Sequence, residues 1–267
     1  MLFLRMLDAC WLCLAAPCLS FCLAGRCLAL LVSHWPARLR AAMTTATLRS
    51  LYGRATQAFL HRDVALTDSL LQSAFCVLQS PTLHPDALAE YRRKWDILRI
   101  TFETLIYSSP PSPQTVLPNE LKQLLLESPQ AFLKSMYTRS LTLFTPSESS
   151  TPKGASATYL PPQVLLTLVY ACVKLNCHDS GRYMIEEWLA RRPLSPPDSP
   201  LSPEGNGYEK ALELYCLHIL PNLEQWEYAQ EFLAYETELP DVIREVNLCY
   251  RFQRPVCSNS LRNLNQR

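Results

Sequence analysis

Cys172, Cys177 and His178 lie close together, and thiolates beside an imidazole are what a zinc ion would use. A zinc site needs a fourth ligand and usually a tighter cysteine pair. Cys172 also falls in an apolar helical stripe, so these residues read as core and turn. Cys10 and Cys13 have redox spacing, but they sit in an apolar run, away from the strand-to-helix context of a reactive pair. Glu186–Glu187 and Glu236/Glu238 are carboxylate pairs of the kind acid–base chemistry uses, and of the kind any solvated helix carries. The histidines, His34, His61, His84, His178 and His218, stand apart from any Ser or Cys nucleophile pattern. No G-x-S-x-G, phosphate-loop or dinucleotide fingerprint occurs. The expectation is a chain that is not an enzyme, with no catalytic, cofactor-binding or metal-binding residues.

Composition agrees with that direction. The 267 residues carry 25 basic and 24 acidic side chains, a balance that leaves no electrostatic footprint for nucleic acid. Only 6 residues are glycine and 21 are proline, with the prolines gathered between periodic segments. That pattern points to helices joined by irregular loops. Of the 11 cysteines, Cys10, Cys13, Cys18, Cys22 and Cys27 crowd the N-terminus; the rest are scattered, several on apolar helix faces. Scattered positions of that sort read as reduced thiols acting as small hydrophobes, as in a body exposed to cytosol or nucleus.

Residues 1–42 differ from the remainder. Ala9–Gly25 is uncharged and Cys27–Val32 continues it past Arg26, together about the 20 residues a bilayer requires. Three readings stand open: a signal anchor with Arg38 and Arg40 on its flank, a cleaved signal peptide, and a non-native extension upstream of Met43. Beyond it, residues 43–144 read as N-terminal helical hairpins and 145–158 as a polar linker. Residues 159–252 read as C-terminal hairpins with a Pro/Ser-rich loop at 192–207, and 253–267 as a polar tail.

Within those bounds the periodicity of three and four locates the elements. Ala46–Gln79 reads as a first hairpin. Leu48, Leu51, Tyr52, Ala55 and Phe59 form the stripe of its first helix, and Asp63 caps a second helix bearing Leu70, Leu71, Ala74 and Phe75. Small residues at Ala55, Ala58 and Ala74 would allow close approach. Asp86–Tyr107 is the most regular seam: Leu88, Tyr91, Trp95, Leu98, Phe102 and Leu105, with Arg92, Arg93 and Lys94 on a solvated face. Glu120–Glu127 and Gln130–Leu143 follow. Then come two hairpins, Leu160–Pro193 and Gly207–Leu233. In the first, Val164, Leu165, Leu168, Val169, Cys172 and Leu175 form the buried stripe, and Tyr183, Met184, Trp188 and Leu189 return. In the second, Pro221 stops the first helix. A last helix is expected at Pro240–Phe252. The loop offers Ser195-Pro196, Ser199-Pro200 and Ser202-Pro203 as proline-directed phosphorylation sites. The architecture expected is all-α: stacked antiparallel hairpins, a tetratricopeptide-like solenoid of about ten helices.

With chemistry absent, binding falls to apolar side chains. Phe59, Leu70, Leu71, Phe75, Trp188 and Trp226 are the partner-binding candidates. Trp188 and Trp226 hold comparable places in their hairpins, either filling the joint between hairpins or anchoring a partner.

LPPQVLLTLVYACVKLN followed by GRYMIEEWL resembles a segment of the peroxisome assembly protein 26 family, in which Leu-Pro-Pro opens a Leu-rich helix and a second helix closes on Trp-Leu. GYEKALELYCLHILPNLEQWEYAQEFL is similar to the family's next segment, and RATQAFLHRDVALTDSLLQSAFCVL to its N-terminal hairpin. The resemblance covers about half the chain, in order, and implies a divergent, fungal-like member. Such proteins are anchored in the peroxisomal membrane with a helical domain on the cytosolic face. That domain recruits an AAA ATPase pair, which extracts the ubiquitinated import receptor so that matrix-protein import continues. The matching positions are Leu160–Leu189 and Tyr208–Leu233. The family's C-terminal span has no counterpart here. The expectation is therefore either a chain cut short or membrane attachment through residues 9–32. The alternative function is a general tetratricopeptide-like scaffold or cochaperone module with an N-terminal anchor, placed in the cytosol or at another membrane. Neither reading involves nucleic acid or a small-molecule substrate.

Overall fold

The computed structural model describes residues 37–78, 80–81, 87–111, 117–146, 156–191, 205–236 and 238. The chain divides into two compact units, Met1–Arg49 and Ser50–Arg267. Of the first, the described part is the opening of helix α1, where Leu48 is buried. The helices in chain order are α1 (Ala37–Leu60), α2 (Val64–Phe75), α3 (Ala89–Ser108), α4 (Asn119–Leu126), α5 (Pro129–Phe144), α6 (Pro162–Lys174), α7 (His178–Arg191), α8 (Gly205–Leu214) and α9 (Trp226–Tyr235). A 3-10 turn at Ala157–Tyr159 precedes α6. No strand occurs among the described residues, and the fold is all-α, built of helices packed on one another. The expected spanning segment at 9–32, the Ser-Pro sites and the helix at Pro240–Phe252 lie outside the described residues. No helix among the described residues is long and apolar enough to cross a membrane.

Local chemistry explains the starts. Asp63 caps α2, its carboxylate accepting from the Leu66 amide at 3.0 Å. Ser128 caps α5 through the Ala131 amide at 3.3 Å, with Pro129 in the first turn where a missing N–H costs nothing. Pro161 and Pro162 open α6 in the same way. α1 begins at Ala37, ahead of the expected Ala46, so Thr44 and Thr45 lie inside the helix and not at its start. The Ala and Arg residues that precede them are strong helix formers.

Three hairpin turns share one geometry. Each closing residue is left-handed: Arg62 (φ 59), Asn176 (φ 55) and Glu224 (φ 60). Each turn makes the same pair of backbone bonds. Asp63 N–H reaches Ala58 O and Arg62 N–H reaches Phe59 O; Cys177 and Asn176 repeat this on Cys172 and Val173, and Gln225 and Glu224 on Leu220 and Pro221. That is the Schellman stop, which satisfies the last carbonyls of a helix and usually employs glycine. Here none of the three is glycine.

α3 lies at the centre of the second unit, packing against α2, α4, α5 and α6. Its expected apolar seam is present, since Trp95, Leu98 and Phe102 are buried. Of the basic residues expected on a solvated face, Lys94 is exposed and Arg93 half-buried, but Arg92 is buried, and so are Asp96, Glu103 and Thr104. α1 runs along α3 in the same direction, Tyr52 meeting Trp95 edge-on at 5.3 Å and Phe59 meeting Phe102 at 6.4 Å. One heptad separates the two pairs along each helix. Ala55 and Ala58, between them on α1, are fully or nearly fully buried.

One hydrophobic core reaches from Ile100 in α3 through Phe132 and Met136 in α5, Leu165 and Leu168 in α6 and Ile185 in α7 to Leu233 in α9. The polar stretch at 145–158 therefore joins helices that share a core. α6 buries Val164, Leu165, Leu168, Val169 and Cys172, with Leu175 half-buried at its end. On α7 the expectation needs correcting: Tyr183 is 60% exposed, and Ile185 holds the core position instead.

Pro221 does not stop α8. The helix continues through a π turn at Tyr215–Ile219 and one more α turn, Leu220–Asn222. Leu220 N–H bonds to Tyr215 O, five residues back. A proline in an unbroken α ladder would lose a bond to the fourth carbonyl behind it and clash there. The extra residue of the π turn shifts the ladder just ahead of Pro221 and removes that conflict. Gly181 of α7 lies against the π turn: a Cβ there would meet Ile219 Cδ1 at 2.9 Å and Cys172 Cβ at 3.3 Å. Gly207 sits in the same way on the ring of Pro162, where a Cβ would fall 2.4 Å from Pro162 Cβ.

Candidate interaction surface

Several of the residues singled out for chemistry are taken up by packing. Cys172 is fully buried, its thiol directed at Met184 Sδ 3.9 Å away, and burial pushes that thiol up to about 12. Such a group stays protonated at physiological pH and behaves as a hydrophobe. Cys177 belongs to the Schellman turn after α6 and His178 opens α7. Among the described residues no group of three His, Cys, Asp or Glu side chains is arranged to hold a metal ion. Cys10 and Cys13 lie outside the described residues. Glu236 accepts from the Glu238 amide at 2.8 Å.

Of the apolar partner candidates, Leu70, Leu71 and Trp188 are buried. Phe59 and Phe75 are half-buried, Phe59 on Phe102 and Phe75 beneath the Arg99 guanidinium at 4.6 Å. Trp188 fills the joint between α6 and α7, its indole N–H donating to Leu160 O at 3.1 Å. Trp226, at the first residue of α9, is 39% exposed. The two tryptophans, alike in sequence, therefore have different surroundings.

Two polar assemblies were not read from the sequence. The first lies among α2, α3, α4 and α5. Asp96 pairs with Arg99 on α3, and Arg139 on α5 grips Glu103 with both terminal nitrogens, one bond measuring 2.9 Å. Burial pushes the Asp96 carboxyl up, against the pull of Arg99, and its Oδ2 has no protein hydrogen-bond partner. Burial also tends to lower Arg139, but Glu103 outweighs it and holds the guanidinium above its usual range. On the neighbouring turn Gln72 donates to Asp68 at 2.9 Å and to Glu120 at 3.1 Å, bridging α2 to α4. Burial, and then the charges of Glu120 and Glu103, push Asp68 up to about 6.

The second assembly straps α7 to both neighbours. Tyr137 Oη on α5 donates to Glu187 at 2.9 Å, and Tyr215 Oη in the π turn donates to Glu186 at 2.6 Å. Burial and then the hydrogen bond to a carboxylate raise both phenols. Arg182 donates to Glu186 at 2.7 Å and to Gln225 at 2.8 Å, and lies over the Tyr228 ring at 5.8 Å. The carboxylate pair Glu186–Glu187 is thus structural. The sequence signal for it was the pair of tyrosines: a phenol on an otherwise apolar stripe needs a partner for its hydroxyl once buried.

What remains outward is an aromatic and acidic face on α9. Tyr228, Glu231, Phe232, Tyr235 and Glu236 fall three and four apart and line an open groove of about 340 Å³. Tyr228 is 44% and Tyr235 78% exposed. From Glu224 to Glu238 the sequence has Glu224, Glu227, Glu231, Glu236 and Glu238 but no Lys or Arg. Many of the described polar side chains of the core bond to one another, while Trp95 Nε1, Asp96 Oδ2 and Thr104 Oγ1 are buried without a protein partner. In comparisons with known proteins, no family model, no curated protein and no solved structure matches this chain.

Proposed function

We propose that the chain is a peroxisome biogenesis adaptor: a helical domain that recruits an AAA ATPase complex to the cytosolic face of the peroxisomal membrane, where the matrix-protein import receptor is recycled. One contact carries most of the weight. The resemblance behind this reading rests on a Leu-Pro-Pro opening and a Trp-Leu close, and these two ends touch, Trp188 Nε1 donating to Leu160 O at 3.1 Å. The residues of the pattern thus form one physical unit, a hairpin whose tryptophan latches its own entry. The second matching stretch forms α8 and α9, packed on the first through Gly207 and Pro162. Attachment to the membrane through residues 9–32 belongs to the same proposal.

The test is retention of the purified AAA ATPase pair on the folded, immobilised chain, together with targeting of a fluorescent fusion to peroxisomes. Co-retention is the expected result. A chain with an intact helical circular dichroism spectrum that retains neither ATPase would overturn the reading.

A second reading has its own support. Three hairpin turns of one geometry, at Arg62, Asn176 and Glu224, suit a general tetratricopeptide-like scaffold. Retention of chaperone tails in place of the ATPases would favour it.

A further inference from the structure

We infer that the α9 groove is a docking surface for a cationic segment of a partner protein, one that lays an arginine across Tyr235 beside Glu231. The chemistry is already present once within the chain. Arg182 is seated by a carboxylate, Glu186, at 2.7 Å, by the amide oxygen of Gln225 at 2.8 Å and by the face of Tyr228 at 5.8 Å. The ring-and-carboxylate set recurs along α9 at Glu231, Phe232 and Tyr235, facing the open groove. Glu224 to Glu238 contributes carboxylates without a single Lys or Arg, so charge complementarity selects a cationic occupant. Aromatic faces favour guanidinium over ammonium, which selects arginine. A groove of about 340 Å³ on one helix face is small. The association therefore belongs to the transient, salt-sensitive class. It does not depend on the identity of the ATPase partner.

The experiment uses the full chain and a fluorescein-labelled helical peptide with arginines at i and i+4 and leucines between, beside a twin carrying glutamates in place of the arginines. Anisotropy should report micromolar binding of the arginine peptide, weakening about tenfold between low and 0.3 M salt, with no binding of the twin. Glu227→Lys combined with Glu231→Lys should weaken binding about tenfold, and Tyr235→Ala several-fold, with the thermal midpoint unchanged. Equal binding to the charge-reversed chain would overturn the inference. So would binding that appears only after Arg244→Glu and Arg251→Glu, since the chain's own C-terminal cations would then hold the groove. A dimer dissolved by Glu231→Lys would overturn it as well, the face then belonging to a second copy. A chain that binds the peptide but retains neither ATPase would keep this inference and lose the adaptor reading.

Discussion

Glu186 and Glu187 are neighbours in the chain and accept from tyrosines on opposite sides of α7, Tyr215 at 2.6 Å and Tyr137 at 2.9 Å. Successive helical residues point about 100° apart, so one dipeptide ties its helix to two others. A hydrogen bond from a phenol to a carboxylate is worth about 1.5–3 kcal/mol, and after its loss Glu186 still pairs with Arg182 at 2.7 Å and Glu187 with Arg191 at 3.2 Å, which moderates the penalty. Tyr215→Phe and Tyr137→Phe should each lower stability by about 1–2 kcal/mol in urea unfolding. Because the two straps lie on different faces, the double variant should lose close to the sum.

The three Schellman turns place Arg62 and Glu224 where an L side chain is strained by about 1–2 kcal/mol. Glycine adopts that conformation freely but loses more entropy on folding. Arg62→Gly and Glu224→Gly should therefore each raise the thermal midpoint, by an amount equivalent to about 0.5–1 kcal/mol. Asn176→Gly should do less, since asparagine tolerates the left-handed region. Calorimetry of the three variants would rank them.

Two glycines make opposite expectations. At Gly53, mid-helix in α1, an added Cβ meets nothing within 4 Å. Gly53→Ala should stabilise by about 0.5–1 kcal/mol through helix propensity alone. At Gly207 the same methyl would enter the Pro162 ring, which cannot rotate away. Gly207→Ala should destabilise by about 1–3 kcal/mol as overpacking does. Denaturant midpoints of the pair test the packing of α8 on α6.

Asp68 makes stability depend on pH. Its folded value, about 6, lies above the ordinary carboxyl value of 3.8, so the folded state binds the proton more tightly. The sign follows from linkage: this contribution is full below about pH 4 and is lost as pH rises through about 6. Asp68→Asn keeps an acceptor for Gln72 and removes the charge beside Glu120 and Glu103. The variant should be more stable than the parent at pH 7, by on the order of 1 kcal/mol after solvent screening, and the difference should vanish near pH 4. Chemical denaturation at pH 4, 5, 6 and 7 would show it.

The sequence carried most of the helices, because apolar residues three and four apart declare a buried face. Trp95, Leu98 and Phe102 on α3, and Leu165 and Leu168 on α6, are buried as their spacing implies. What it hid follows from physics that periodicity does not measure. Asp96 and Glu103 on α3 are buried as paired charges, Asp96 with Arg99 one turn along the same helix and Glu103 with Arg139, and the second pairing depends on where α5 arrives. Asp63 marked the first of these turns in the sequence, but the Schellman geometry gave no signal, since the left-handed positions hold Arg62, Asn176 and Glu224, none of them the glycine common at such stops. Trp188 and Trp226 have equivalent positions in sequence and different surroundings, decided by a carbonyl at Leu160 for one and by the first turn of α9 for the other. The acidic, aromatic face of α9 was on view as letters, Tyr228, Glu231, Phe232 and Tyr235, but only folding shows that they line one groove.

The π turn at Tyr215–Ile219 works as an angular offset. One extra residue rotates everything downstream by about 100° relative to an unbroken helix. Upstream, Gly207 holds α8 against Pro162; downstream, Ile219 fits Gly181, Pro221 clears the ladder and α9 receives its heading. The direction in which the α9 groove faces is therefore written in the phase of α8, and a one-residue deletion inside that turn would redirect the groove without altering any of the residues that line it.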